Sequence, residues 1–285
     1  AATALSCQIG VHSLRGSRWP TFGMSIRRDE VMSVRLHDAG QWQNWPWIGA
    51  AIRFLRRPKS PTEAAICAIA LTGLLVGLVF GLWPGLDLSV SGLFYDEAQR
   101  SWPLTRDPNV LAIRDFNAFV TRAIVAAAVI ALIFAAAGGR TFAFLSPRVA
   151  VFLLATLVAA PGLIANAVFK SHWGRPRPIE VKAFGGSLDF VPWWSPFGGC
   201  DSNCSFVSGE AASAFWLLAV AILLPQRYRA AAIVVAIVYG LTVGLSRVAM
   251  GGHFLSDVLF AGVFTALAIW LLHGMFFRWR APRGS

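Results

Sequence analysis

Residues 246–257 read Ser-Arg-Val-Ala-Met-Gly-Gly-His-Phe-Leu-Ser-Asp and join two apolar runs, at 230–246 and 254–277. Each run is close to the ~20 residues a helix needs to cross the hydrocarbon of a bilayer. So short a polar link between two spanning helices places Arg247 and His253 at one membrane face. Asp257 follows His253 by one helical turn, so both side chains project from the same side of the last helix.

Four more apolar runs precede this pair, at 62–83, 119–138, 149–169 and 208–225. They are long, rich in Ala and Leu, and lack the alternation of barrel strands, so the reading is helical. The expected fold is all-α, a polytopic membrane protein built as a six-helix transmembrane bundle. The expected organisation is an N-terminal cytoplasmic or interfacial segment at 1–61, the bundle at 62–277 and a basic tail at 278–285.

Composition agrees with a bilayer as solvent. Of 285 residues, 56% are hydrophobic and 14% charged, with a mean hydropathy of +0.60, whereas a soluble domain carries about a quarter charged residues. The net charge of +11 comes from Arg scattered over loops and termini without a long basic face, which excludes nucleic acid as the expected partner and fits membrane topology. The flanks Arg53, Arg56, Arg57 and Lys59, then Arg140 and Arg148, Arg227 and Arg229, and Arg278, Arg280 and Arg283 fall on one side. That side reads as cytoplasmic by the positive-inside rule. The loops 84–118 and 170–207 and the turn 247–253 then lie on the outer face.

Residues 1–50 hold no run long enough to span and no secretory-signal pattern. Met24, followed by Ser25-Ile26-Arg27-Arg28, reads as the start of translation, with the first 23 residues as read-through. The stretch from Trp42 to Leu55 reads as an interfacial helix on the cytoplasmic surface. Cys67 lies inside an apolar run as a small core residue. Cys200 and Cys204 share a Gly-rich loop whose neighbours His172 and Asp201 lack zinc-ligand spacing, so a disulfide is expected there if the loop faces an oxidising compartment, and free thiols otherwise.

Three polar islands carry the chemistry. Lys170 and Arg177, seven residues apart, and Arg247 supply cations that suit phosphoryl oxygens: a planar fork from each arginine, a point charge from the lysine. Ser208-Gly209 opens a helix whose first N–H groups form an anion site, and Ser208 is equally a good N-cap. His253 with Asp257 can act as an imidazole whose one nitrogen carries the proton while the other attacks phosphorus. Glu210 is either a proton donor or a cap of its own helix. Acidic residues are sparse around these islands, so no metal and no cofactor is expected. Trp193, Trp194 and Phe197 read as an interfacial wall against lipid chains, with Gly185-Gly186 and Gly198-Gly199 permitting a mobile lid. The segment Leu86-Asp87 through Leu93-Phe94-Tyr95-Asp96 reads as an interfacial helix capping the site or as an ordinary connector.

Lys-x6-Arg-Pro, Ser-Gly-Glu and Ser-Arg-x5-His-x3-Asp in this order resemble the type 2 phosphatidic acid phosphatase (PAP2) family over residues 62–277. The first and third motifs match in full. In the second, the family pattern Pro-Ser-Gly-His appears as Val207-Ser208-Gly209-Glu210. The resemblance implies a metal-independent membrane lipid phosphatase in which His253 forms a phosphohistidine, Asp257 orients it, and Lys170, Arg177, Ser208, Gly209 and Arg247 bind the phosphate. The missing histidine leaves the acid to Glu210, to His172, or to a substrate whose leaving group needs little protonation. The substrates implied are lipid A phosphates, phosphatidylglycerol phosphate, polyprenyl diphosphate and phosphatidic acid, with a lean towards lipid A, in a bacterial inner membrane with the site facing outward. A phosphotransferase and a non-catalytic lipid-phosphate binder are the rival readings.

Overall fold

A computed structural model describes residues 61–139 and 145–278. The expectations about Met24, the 42–55 segment and residues 279–285 lie outside the described residues. Five helices are long and apolar enough to cross a membrane. Helix α1 is Pro61–Leu82, α3 Pro108–Ala136, α4 Pro147–His172, α6 Gln226–Ala249 and α7 Leu255–His273, which continues in π geometry to Arg278. Between them lie the short α2, Gly85–Gly92, and the apolar α5, Gly209–Ala221. The fold is helical and multi-pass as expected, but the helix in the run at 208–225 is too short to span by itself.

Local chemistry sets these ends. Asp107 caps α3, its Oδ1 accepting from the amides of Asn109 at 2.8 Å and Val110 at 3.1 Å, with Pro108 at the first helical position. The helix therefore starts well before the apolar run at 119–138. Ser146 and Pro147 repeat the arrangement at α4. Within α4, Pro161 cannot donate to the preceding turn; the helix runs in π geometry from Val158 to Phe169, and Asn166 Nδ2 donates to the Pro161 carbonyl at 2.6 Å. Helix α5 is interrupted at Trp216, whose indole N–H is held by Thr156 Oγ1 at 2.9 Å and the Leu153 carbonyl at 3.2 Å.

The bundle packs around α7. Half of its apolar window is buried, against 11% for α1 and for α3, whose outward leucines and phenylalanines face where lipid would be. In α1, Gly73 and Gly77 turn inward: a Cβ on Gly73 would lie 2.8 Å from Val263 Cγ1, so the small residues at four-residue spacing permit the close approach of α1 and α7. One core cluster gathers Phe152, Leu153, Trp216 and Ile269; a second, nearer the polar islands, gathers Phe206, Val248, Val258 and Phe260. Trp193 belongs to that second core, 4.5 Å from Phe260 between ring centroids. Of the expected aromatic wall, Trp194 and Phe197 are exposed.

Candidate active site

The C-terminal ends of α4 and α6 and the N-terminal ends of α5 and α7 meet at one end of the bundle. Ser208 is fully buried as the N-cap of α5, its Oγ accepting from the Ala211 amide at 3.3 Å, and its own amide donates to the Asp257 carbonyl at 3.3 Å. The next residue has to be small. A Cβ on Gly209 would lie 2.8 Å from Asn166 Oδ1 and 3.2 Å from Lys170 Nζ, which places the lysine ammonium directly over the helix start. The first amides of that helix lack an intrahelical acceptor.

Arg247 reaches the same place from the end of α6. Its Nε lies 3.0 Å from Glu210 Oε2, an ion pair outside hydrogen-bonding angles, and its Nη1 donates to Met250 Sδ at 3.2 Å. A Cβ on Gly252 would sit 2.8 Å from Arg247 Nη2. Arg177 is within electrostatic reach of both Lys170 and Arg247. Its fork is closed on the Asn203 carbonyl, at 3.0 Å from Nε and 2.7 Å from Nη2. All three expected cations thus converge.

His253 is buried against them. Its Nδ1 lies 2.7 Å from the Ser205 carbonyl. A carbonyl only accepts, so Nδ1 carries the proton and the neutral ring keeps its lone pair on Nε2. Burial pushes the imidazole below its ordinary value, Asp257 pulls it back up, and Arg247 and Lys170 push it down again. The expectation that Asp257 directly holds the ring needs adjusting. Asp257 Oδ2 is 3.8 Å from Nδ1, too long for a hydrogen bond, and accepts instead from Ser205 Oγ at 2.5 Å and from the Phe254 amide at 2.8 Å. Ser205 thus links the Asp257 carboxylate to the His253 ring.

Two residues given no role in the sequence analysis complete this arrangement. Arg175 is wholly buried: Nη1 donates to Asp257 Oδ1 at 2.5 Å and to Ser256 Oγ at 2.8 Å, and Nη2 to Asp87 Oδ2 at 2.7 Å. Asp87 on α2 also accepts from the Ser256 amide at 2.9 Å and the Ser256 hydroxyl at 2.6 Å. Burial raises its carboxyl above the usual carboxylate range, against the opposing pull of Arg175. The segment read as a cap or connector is therefore a latch on α7. A lone aspartate among leucines, Leu86-Asp87-Leu88, was the available signal.

His172 is exposed, its Nδ1 3.0 Å from the Val168 carbonyl of its own helix. Cys200 and Cys204 are joined as a disulfide. Among the described residues, no group of three or more His, Cys, Asp or Glu is placed to hold a metal.

The PAP2 superfamily model matches residues 148–281. A lipid A 4'-phosphatase of Francisella tularensis subsp. novicida is 34% identical over 204 residues, covering 70% of this chain and 90% of that one. The chain belongs to the PAP2 superfamily. A Rhizobium etli lipid A 4'-phosphatase is also 34% identical, over 224 residues, covering 74% of this chain and 86% of that one. In fold, this PAP2 protein is similar to the crystal structure of a transmembrane PAP2 type phosphatidylglycerolphosphate phosphatase from Bacillus subtilis, with a TM-score of 0.50 and 19% identity, covering 76% of this chain and 98% of that one. It is a multi-pass membrane lipid phosphatase. The PAP2 match begins at α4, so Asp87 and all of α1 to α3 lie outside it.

Proposed function

We propose that this protein removes the 4'-phosphate of lipid A through a phosphohistidine on His253, in a bacterial inner membrane with the site facing outward. The observation that carries the reading is His253 itself: an imidazole with Nδ1–H fixed on the Ser205 carbonyl and Lys170 and Arg247 within electrostatic reach. A phosphate gripped by Lys170, Arg177, Arg247 and the first amides of α5 presents phosphorus to the Nε2 lone pair. The N–P bond forms as the P–O bond to the sugar breaks, and the departing alkoxide takes a proton. Water then attacks the phosphohistidine and releases inorganic phosphate.

A sugar secondary alkoxide is a poor leaving group, so this substrate needs a proton donor. Glu210 is the carboxyl at hand, paired with the cation that the incoming phosphate would claim. Its protonated form supplies what the family's histidine supplies elsewhere. The outward orientation is supported by the Cys200–Cys204 pair at the site end and by Arg148, Arg227 and Arg229 at the start of α4 and α6.

The test is phosphate release from lipid A by the purified protein in detergent with chelator present, and mass spectrometry of which phosphate is lost. Loss of the 4'-phosphate that vanishes in His253→Ala is expected, and Glu210→Gln lowers turnover by about 10²-fold or more on lipid A but little on an aryl phosphate, whose leaving group needs no acid. Near wild-type turnover of lipid A by Glu210→Gln removes the acid role. Transfer of the group to a lipid acceptor would make the protein a phosphotransferase, and binding without release a non-catalytic binder.

A further inference from the structure

Beside the catalytic end, an open groove of about 350 Å³ runs between α3 and α5, within the size range of small-molecule sites. Arg114, Asp115, Asn117, Thr121 and Arg122 line it from α3, Glu210 and Ser213 from α5. Glu210 is also the carboxylate paired with Arg247, so the groove leads directly away from the phosphate site. Arg114 is near enough to act electrostatically on Arg247.

The floor is rigid. Asn117 is buried, its amide donating to Ser213 Oγ at 2.9 Å and to the Glu210 carbonyl at 3.3 Å, while Tyr239 donates its hydroxyl to Asn117 Oδ1 at 3.2 Å. The cations above that floor are poorly neutralised. Arg114 meets only the exposed neighbour Asp115, at 3.4 Å, and Arg122 has no ion pair or hydrogen bond among the described residues. Arg122 stands about 12 Å further along α3, eight residues at 1.5 Å each, at the edge of the wholly apolar stretch 123–136, where an arginine is expected to serve a site. The Thr121 hydroxyl, together with the two cations, complements a hydroxylated head that carries a second anionic group.

We propose that this groove binds the sugar part of the substrate head, with Arg114 and Arg122 taking an anionic substituent on it, and so selects glycolipid phosphates over glycerolipid phosphates. The inference rests on the lipid phosphatase reading and deepens it.

The experiment compares kcat/KM on lipid A and on phosphatidic acid in mixed micelles for wild type, Arg122→Ala and Arg122→Lys. Arg122→Ala should lower the lipid A to phosphatidic acid ratio at least tenfold, through KM, and Arg122→Lys should recover part of it. An unchanged ratio, or an equal fall on both lipids, overturns the proposal. If wild type releases no phosphate from lipid A, the substrate reading fails, and the groove is judged by binding. Lipid A affinity of the His253→Ala protein in nanodiscs should weaken tenfold when Arg122→Ala is added, and unaltered affinity sinks it.

Discussion

Arg175 connects three segments that share no local sequence signal: α2 through Asp87, the polar loop that carries it, and the start of α7 through Asp257. With both carboxylates ionised the cluster carries one net negative charge, and of its members Asp257 acts on His253, pulling the imidazole pKa up. Removing the cation by Arg175→Ala leaves two buried carboxyls without their partner, expected to cost about 3–5 kcal/mol, and is a poor probe of mechanism. Asp87→Asn keeps the shape and removes one negative charge. On the proposed mechanism His253 attacks as the neutral ring, and burial already holds its pKa below the ordinary imidazole value of about 6.5, so activity is retained below that pH and is lost as pH falls through the folded-state value. Asp87→Asn leaves the whole Arg175 charge on Asp257, which weakens the support for a protonated His253. The acid limb of kcat/KM should therefore move to lower pH in this variant, with a fall in kcat of a few-fold. A fall in thermal stability with the acid limb unmoved would make Asp87 a strut only.

Among the elements, two glycines separate chemistry from packing. Gly244 on α6 faces α7, where an added Cβ would lie 2.1 Å from Val258 Cγ1, so Gly244→Ala should cost about 1–3 kcal/mol of stability, read as a lower Tm in detergent. Gly209→Ala instead presses on Asn166 and the Lys170 ammonium at the start of α5. It should lower kcat/KM about tenfold or more, the scale of one charge-assisted hydrogen bond, with a smaller change in Tm. Equal effects of the two on Tm and on activity would refute the division. The elements themselves were largely legible in the sequence, because long apolar runs admit only helices in lipid. Two ends were not. Arg114 and Asp115 made the first turns of α3 look like loop, although they line a groove on a helix capped by Asp107. The helix in the run at 208–225 ends at Ala221, ahead of Pro225, and is interrupted at Trp216, whose indole N–H reaches Thr156. Lys170, Ser208, Arg247 and His253 were legible because each sits at a helix end that antiparallel connection brings together. Asp87 and Arg175 are 88 residues apart, and only folding reveals that pair.

At the scale of the whole molecule, the two ends of the bundle differ in chemistry. The site end carries the Cys200–Cys204 pair and the cationic pocket; the other end carries Arg148, stacked 4.9 Å over Phe277, and Arg229, which donates to the Leu224 carbonyl at 3.2 and 3.1 Å. A disulfide persists on the oxidising side of a bacterial inner membrane, and arginines near the ends of spans are retained on the cytoplasmic side, so both features support the proposed outward-facing site. An impermeant maleimide checks this in intact spheroplasts of a variant lacking Cys7 and Cys67. Label should reach Cys200 and Cys204 without lysis, and only after an impermeant reductant has been added. In a cysteine-free background, Arg229→Cys should be labelled only once the membrane is permeabilised. The opposite pattern, with Arg229→Cys labelled from outside and the loop pair silent until lysis, would put the pocket in the cytoplasm and exclude any substrate lipid confined to the outer leaflet.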